Sequence, residues 1–497
     1  DDVLPALTAM LDTLTVNPGD GDHTVRVDNA PTEGVDRVRS DSLPEIQYEA
    51  LDTFTVEPTG AGADVVTYKT RNLEGAVNYI ATLDGDDTLI IEGNDDLDDY
   101  VGQTTATPGE IEIVDNNGVT VLSNGDLARL QLDLLDGNDT VLVDGAQSAP
   151  ITVNGGSQTA GSPASNADVL TLRSSEDGAE VDIAHGDGDD RGLAFMDGSE
   201  VAFNGTERII VDAVADGAEG AVGPDRLTVT GTDQGEAWTV TAVPQSGDGL
   251  VEVDQHADIQ FINFSDHDGT TLTLNAEGGD DTIVANHADS WFINTVNVNG
   301  ANPTASDAFQ LVGTLPDTVL GTTGNDDFDY TPTGFDRGTI NVISGSRDTT
   351  YFLRGIESAL IDGEAHANGD TLDVFDSDAE IIPGFFPGDG RVTATDILGQ
   401  ALLPLDYTHI EDVEVIDTPA QDNIGLFVGT DANEIIRVNP DGTVDFINEF
   451  GDVNTVDVKS FNSLVIDMRG GDDIVEILTS GLFPGGIEVL GGEGTLN

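Results

Sequence analysis

"LNAEGGDDTIVAN", residues 274–286, sets apolar side chains alternating with polar ones, turns through Gly-Gly-Asp-Asp, and continues as a short β-branched run. Alternation at period two marks a strand with one buried face, and Gly with Asp supplies the bend between two such strands. The same corner recurs at "LDGDDTLIIEG" (83–93), "LDGNDTVLVDG" (135–145) and "RGGDDIVEI" (469–477), with shorter copies at "ANGDTLDV" (367–374) and "GPDRLTV" (223–229). The stretch is therefore a repeat element, with Leu272, Leu274 and Ile283 expected to face a core.

Two further blocks repeat. One places an acid five residues after a Gly-Thr and apolar residues at seven and nine: "GTDQGEAWTV" (from Gly231), "GTTGNDDFDY" (from Gly321) and "GTDANEIIRV" (from Gly429), with a looser "GNDDLDDY" at 93–100. The two-residue step puts Trp238 with Val240, or Phe328 with Tyr330, on one strand face. The other block is an apolar strand closed by Asp or Asn, ending at Asp84, Asp133, Asp212, Asn275, Asp362, Asp417 and Asp467. Neighbouring endpoints lie from 49 residues (Asp84 to Asp133) to 87 residues (Asn275 to Asp362) apart, a repeat with variable insertions. Only "TATDILGQALL" (393–403) has helix-like spacing.

Short β-runs, Gly/Asp turns and internal repeats leave two all-β architectures. A parallel β-helix or β-solenoid absorbs insertions as loops on one face, whereas tandem antiparallel β-sandwich modules call for steadier unit lengths and linkers. The solenoid is favoured, as one repeat array over 1–497 with approximate blocks 1–92, 93–174, 175–230, 231–320, 321–428 and 429–497. The strand-turn-strand at "GTVDFI" (442–447) shows that some blocks also read as hairpins. The final "IEVLGGEGTLN" reads as the start of another unit, inside a larger repeat protein.

Charge narrows the partners. Seventeen Lys plus Arg against 94 Asp plus Glu give a formal net charge of −77, so nucleic acid and anionic membranes are poor partners. Hydrophobic residues make up 38%, which argues for a folded chain rather than an acidic tail. Repulsion on this scale calls for condensed cations or a salty medium. Cysteine is absent, which excludes disulfides and thiolate metal sites. No apolar run approaches a membrane span, and "DDVLPALTAM" lacks the basic and apolar regions of a signal peptide, as in a mature secreted chain.

The acidic corners resemble the hemolysin-type (RTX) calcium repeat, Gly-Gly-x-Gly-x-Asp plus an apolar residue, whose second half is matched by "EGGDDTI" and "LDGNDTV". That resemblance implies Ca²⁺ held by Asp86, Asp87, Asp139, Asp280, Asp281, Asp326, Asp327, Asp472 and Asp473. Here the turns occur once per unit instead of in tandem, so ligands would come from turns stacked in space; the competing reading is turn chemistry alone. An EF-hand at "FPGDGRVTATD" (386–396) fails, because Phe385 and Pro387 stand where its first ligands belong.

Catalysis has little support. Lys69 and Lys459 are the only lysines, the Arg residues look scattered, and no H-E-x-x-H or G-x-S-x-G is present. His256, His267 and His287 are expected to be solvated loop residues. Trp238 is expected in the core, while Trp291 could be core or sugar-stacking. Sequons at Asn138, Asn204 and Asn263 are candidate glycosylation sites.

As a whole the chain is similar to the acidic, Gly/Asp-rich repeat proteins of bacterial surfaces. The resemblance implies a non-enzymatic, secreted, cell-surface structural protein, a self-assembling subunit of a filament, sheath or S-layer. Its expected partners are copies of itself and divalent cations, with surface polysaccharide a further candidate and no membrane insertion. Alternatives are an adhesin stalk and a carbohydrate-active β-helix, the latter requiring an Arg/Asp-lined groove.

Overall fold

The computed structural model describes residues 13–491 apart from 31–34, 49–50, 52, 59–61, 71–72, 74–77, 84–85, 94–98, 105–109, 116–119, 125–126, 136, 148, 157–166, 175–177, 189, 214–222, 266–267, 289, 301–306, 314–325, 345–346, 364–368, 377–378, 385, 387, 397, 411, 417–423, 431, 460 and 480. Among the described residues the regular structure is all β, with 43 strands. The chain divides into two compact units, Asp1–Gly223 with Gln255–Asn263, and Pro224–Asp254 with Phe264–Asn497.

Both units are built alike. Outside the inserted meanders, successive strands alternate between two sheets, and each pairs in parallel with its counterpart one coil on. In the first unit Thr140–Asp144 pairs with Val169–Arg173, which pairs with Arg208–Asp212. In the second, Thr282–Asn286 pairs with Ala308–Val312, which pairs with Ser358–Asp362. Parallel pairing between consecutive coils is what a solenoid requires and a hairpin-linked sandwich lacks, so the β-helix is the fold.

Inserted meanders account for the uneven repeat length. Asp326–Gly334, Arg337–Ser344 and Arg347–Arg354 form an antiparallel meander. Its last strand pairs in parallel with the earlier Thr295–Asn299, and its first with the later Thr371–Val374. The chain thus overshoots, folds back twice, and resumes coiling. Glu380–Pro383 with Gly390–Thr393 and Leu405–Thr408 does the same in the other sheet, and Ile435–Val438 with Thr443–Ile447 and Val453–Asp457 does so in the first. The hairpin reading of "GTVDFI" is therefore also correct locally.

Strand after strand buries alternate residues, as in Thr271–Asn275 and Thr282–Asn286. Leu274 and Ile283 are fully buried and Leu272 nearly so, as the alternation predicts. Each such side chain contributes about 1.5–3 kcal/mol by leaving water. Trp238 and Val240 are buried, as are Phe328 and Tyr330. One expectation fails: residues 393–403 form no helix among the described residues. Thr395 bridges Ala401 in antiparallel fashion, and Asp396 Oδ1 accepts the N–H groups of Leu398 and Gln400, folding the apolar residues into a tight loop.

Candidate functional site: stacked acids at the coil corners

Many corners share one pattern among the described residues: an acid stands immediately before the strand that the corner enters. In the second unit these acids include Glu236, Asp281, Asp307 and Glu357, each directly or closely preceding its strand. Consecutive corners lie one strand spacing apart, so equivalent acids stack.

The stack is hydrogen-bonded from coil to coil. The Glu236 N–H donates to Asp281 Oδ1 at 2.8 Å, the Asp281 N–H to Asp307 Oδ1 at 2.9 Å, and the Asp307 N–H to Glu357 Oε2 at 2.9 Å. In the first unit the Asp139 N–H donates to Asp168 Oδ1 at 2.8 Å, and the Asp168 N–H to Glu207 Oε2 at 2.7 Å. The opposite corners repeat the device: Asp64 N–H to Asp87 Oδ1, Asp326 N–H to Asp370 Oδ1, and Glu434 N–H to Asp473 Oδ1. A carboxylate accepting a backbone N–H is a charge-assisted bond, and here each one ties two coils together at a point where strand pairing begins.

The glycine spacing now has a cause. A Cβ at Gly300 would lie 2.3 Å from the Gly355 carbonyl oxygen and 2.5 Å from Asp307 Oδ2. A Cβ at Gly231 would meet Glu236 Oε2 at 2.5 Å and the Trp238 ring at 2.6 Å, which explains a Gly followed by an acid at five and an aromatic at seven. The Thr232 N–H and hydroxyl both donate to Glu236, and Thr430 bonds Glu434 likewise. Gly300→Ala is expected to destabilise the fold by about 1–3 kcal/mol through this overpacking, read from the urea midpoint; an unchanged midpoint would show that the corner has slack.

The ladder is electrostatically tense. Burial foremost, then the charges of Asp307, Glu236 and Asp280, push the Asp281 carboxyl up to about 6 despite the Glu236 N–H. Burial and the Glu357 and Asp280 charges raise Asp307 as well. Glu207 reaches about 7, mainly through burial and then the Asp168 and Asp190 charges. Asp281 Oδ2 and Asp307 Oδ2 are buried without a hydrogen-bond partner among the described residues.

The nine acids read as calcium candidates divide by face. Asp87, Asp139, Asp281 and Asp326 are buried and belong to the ladders, Asp473 is partly buried, and Asp86, Asp280, Asp327 and Asp472 are exposed. Adjacent residues at a strand start project to opposite faces, so each Asp-Asp pair sends one side chain inward and one outward. Among the described residues, no three His, Cys, Asp or Glu side chains are grouped to hold a metal ion. The sequence missed Asp64, Asp168, Glu207, Asp307, Glu357 and Asp370, because single acids outside the Gly-Asp-Asp signature look like ordinary surface residues.

The histidines differ from expectation. His287 is buried, with Nδ1 3.1 Å from the Tyr351 hydroxyl, and burial lowers it to about 4. His256 stacks on buried His185 at 4.6 Å between ring centroids, and burial, with the His256 charge, lowers His185 to about 3. The His185 and His287 rings fill core space at strand ends, where imidazole packs as an aromatic, while His256 is half-buried at a bend. His267 lies outside the described residues. Trp291 is core as well, with Nε1 donating to the Asp248 carbonyl at 3.1 Å.

Four of the basic residues cluster around two acids. Arg26 and Lys69 bond Glu92, while Arg26, Arg37 and Arg39 bond Asp28. Lys459 pairs with Asp457. Of the sequon residues, Asn204 and Asn263 are exposed and Asn138 partly so, and Asn263 Nδ2 donates to Asp212 Oδ1 at 2.9 Å. No family model matches the chain, and a search of curated proteins finds no match.

Proposed function

We propose that the chain is an extracellular structural protein, a self-assembling subunit of a bacterial surface filament, sheath or layer. The observation that carries this reading is the repeat-built parallel β-helix itself, whose coils pair strand to strand and are tied at their corners by stacked acids. Stacked coils of one repeat bury a continuous core along the array, which suits a structural scaffold.

Divalent cations, calcium foremost, enter the proposal as counter-ions to the exposed acids of the corners, which lowers repulsion between copies carrying −77 each. Sedimentation velocity on the full chain tests the reading. Wild type is expected to form large species in Ca²⁺, and chelator at fixed ionic strength to shrink them. A wild type that stays monomeric at every concentration, with and without Ca²⁺, would leave the adhesin-stalk alternative in its place.

A further inference from the structure

In a chain with so few basic residues, two arginines face one another across a groove. Arg337 and Arg354 are directly opposed on adjacent antiparallel strands, and both are exposed. Like charges in that position repel. Arg337 Nε donates to Asp336 Oδ1 at 3.1 Å, while Arg354 makes no ion pair or side-chain hydrogen bond among the described residues. The pair therefore carries net positive charge on a surface that is otherwise strongly negative.

The groove beside them holds about 260 Å³ and is lined by Asn297, Asn299, Thr339 and Phe352 together with both arginines. Register places these side chains in two rows on the outward face of the second unit. One row runs Asn299, Arg354, Arg337, and the next Asn297, Phe352, Thr339. Phe352 is 45% exposed, a large apolar ring left in water between an amide and a hydroxyl. Asn299 Nδ2 donates to Asn275 Oδ1 at 2.8 Å and Asn297 Nδ2 to Thr273 Oγ1 at 3.1 Å, which fixes both amides while leaving each with further hydrogen-bonding capacity.

The geometry points to a binding site for an acidic polysaccharide, one whose sugar rings carry carboxylates. The apolar face of a pyranose stacks on the Phe352 ring, the amides and the Thr339 hydroxyl bond its hydroxyls, and the Arg337/Arg354 pair receives its carboxylate, relieving the repulsion between them. An acidic peptide would satisfy the arginines but has no use for an exposed ring flanked by amides. Polyanion repulsion from the rest of the chain is screened within about 10 Å at 0.1 M salt, so contact at short range survives.

A second groove serves as a control. It holds about 370 Å³ in the first unit and is lined by Phe195, which is also exposed, but with Glu180, Asp182 and Asp197 around it. It offers the ring without the cations.

Calorimetry with the full chain tests the assignment, using oligogalacturonate, a neutral glucan oligosaccharide and oligoglutamate as probes. Oligogalacturonate is expected to bind; Phe352→Ala and Arg354→Gln are each expected to weaken it at least tenfold, and Phe195→Ala to leave it unchanged. All three positions are exposed, and the melting curve verifies folding of each variant. No binding of oligogalacturonate, equal binding of oligoglutamate, equal binding of the neutral glucan, or affinity indifferent to both Phe352→Ala and Arg354→Gln would each overturn it.

Discussion

Two sets of buried groups are expected to make stability depend on pH with opposite signs. It falls from about pH 6.5 to pH 7 as raised carboxyls ionise, falls below about pH 4 as buried imidazoles are forced to charge, and between those values the two effects oppose. A carboxyl raised in the folded chain holds its proton where the unfolded chain has lost it. Between about pH 4 and the folded value the native state therefore binds more protons, and stability is lost as pH rises. Asp281 at about 6, Asp373 at about 6 and Glu207 at about 7 place that alkaline limb between about pH 4 and pH 7, with Asp307 and Glu434 acting in the same direction. The buried imidazoles of His185 and His287 have the opposite sign. Lowered to about 3 and about 4, they stay neutral where the unfolded chain would protonate, so stability is lost as pH falls below about 6.5.

The penalty on Asp281 alone is on the order of 3 kcal/mol at pH 8, since each pH unit of displacement is worth about 1.4 kcal/mol and the residue is fully buried. Asp281→Asn keeps an oxygen to accept the Glu236 N–H and removes the charge. It is expected to raise the urea midpoint at pH 8 and to change it little at pH 5. Equal loss at both values would show that the carboxylate charge is compensated in the folded chain.

Trp238→Ala is expected to cost about 3–5 kcal/mol, the range for removing a large buried aromatic. The ring is 1% exposed, sits in register with Ile283 on the next coil, and occupies the space a side chain at Gly231 would take. The loss should appear as a large fall in the urea midpoint at unchanged slope. A change below about 1 kcal/mol would mean that the Gly-acid-aromatic block is not a packing unit.

The blocks were legible because burial imposes period two and the corner imposes Gly. Trp238, Leu274 and Ile283 could be placed from spacing alone. What the sequence hid was anything decided between coils. The sequence spacing pairs Gly321 with Asp326, yet the glycine packed on Asp326 Oδ2 and the Phe328 ring is Gly313, because a long insertion separates corner from strand. Gly321 itself lies outside the described residues, as does most of "GNDDLDDY". The acid ladders were hidden for the same reason: Asp281 meets Asp307 across 26 positions and Asp307 meets Glu357 across 50, distances fixed by loops and meanders with no common period. Histidine misled in the other direction, since a polar type at a strand end reads as solvated until its neighbours are known. The Arg337/Arg354 pair arises only when a meander folds two strands against each other.

Electron micrographs of the purified full chain, taken with and without Ca²⁺, bear most directly on the structural-protein reading. Regular polymers, shortened by chelator, are the expected result. Dispersed single particles in every condition, at concentrations well above those of the sedimentation experiment, would contradict it.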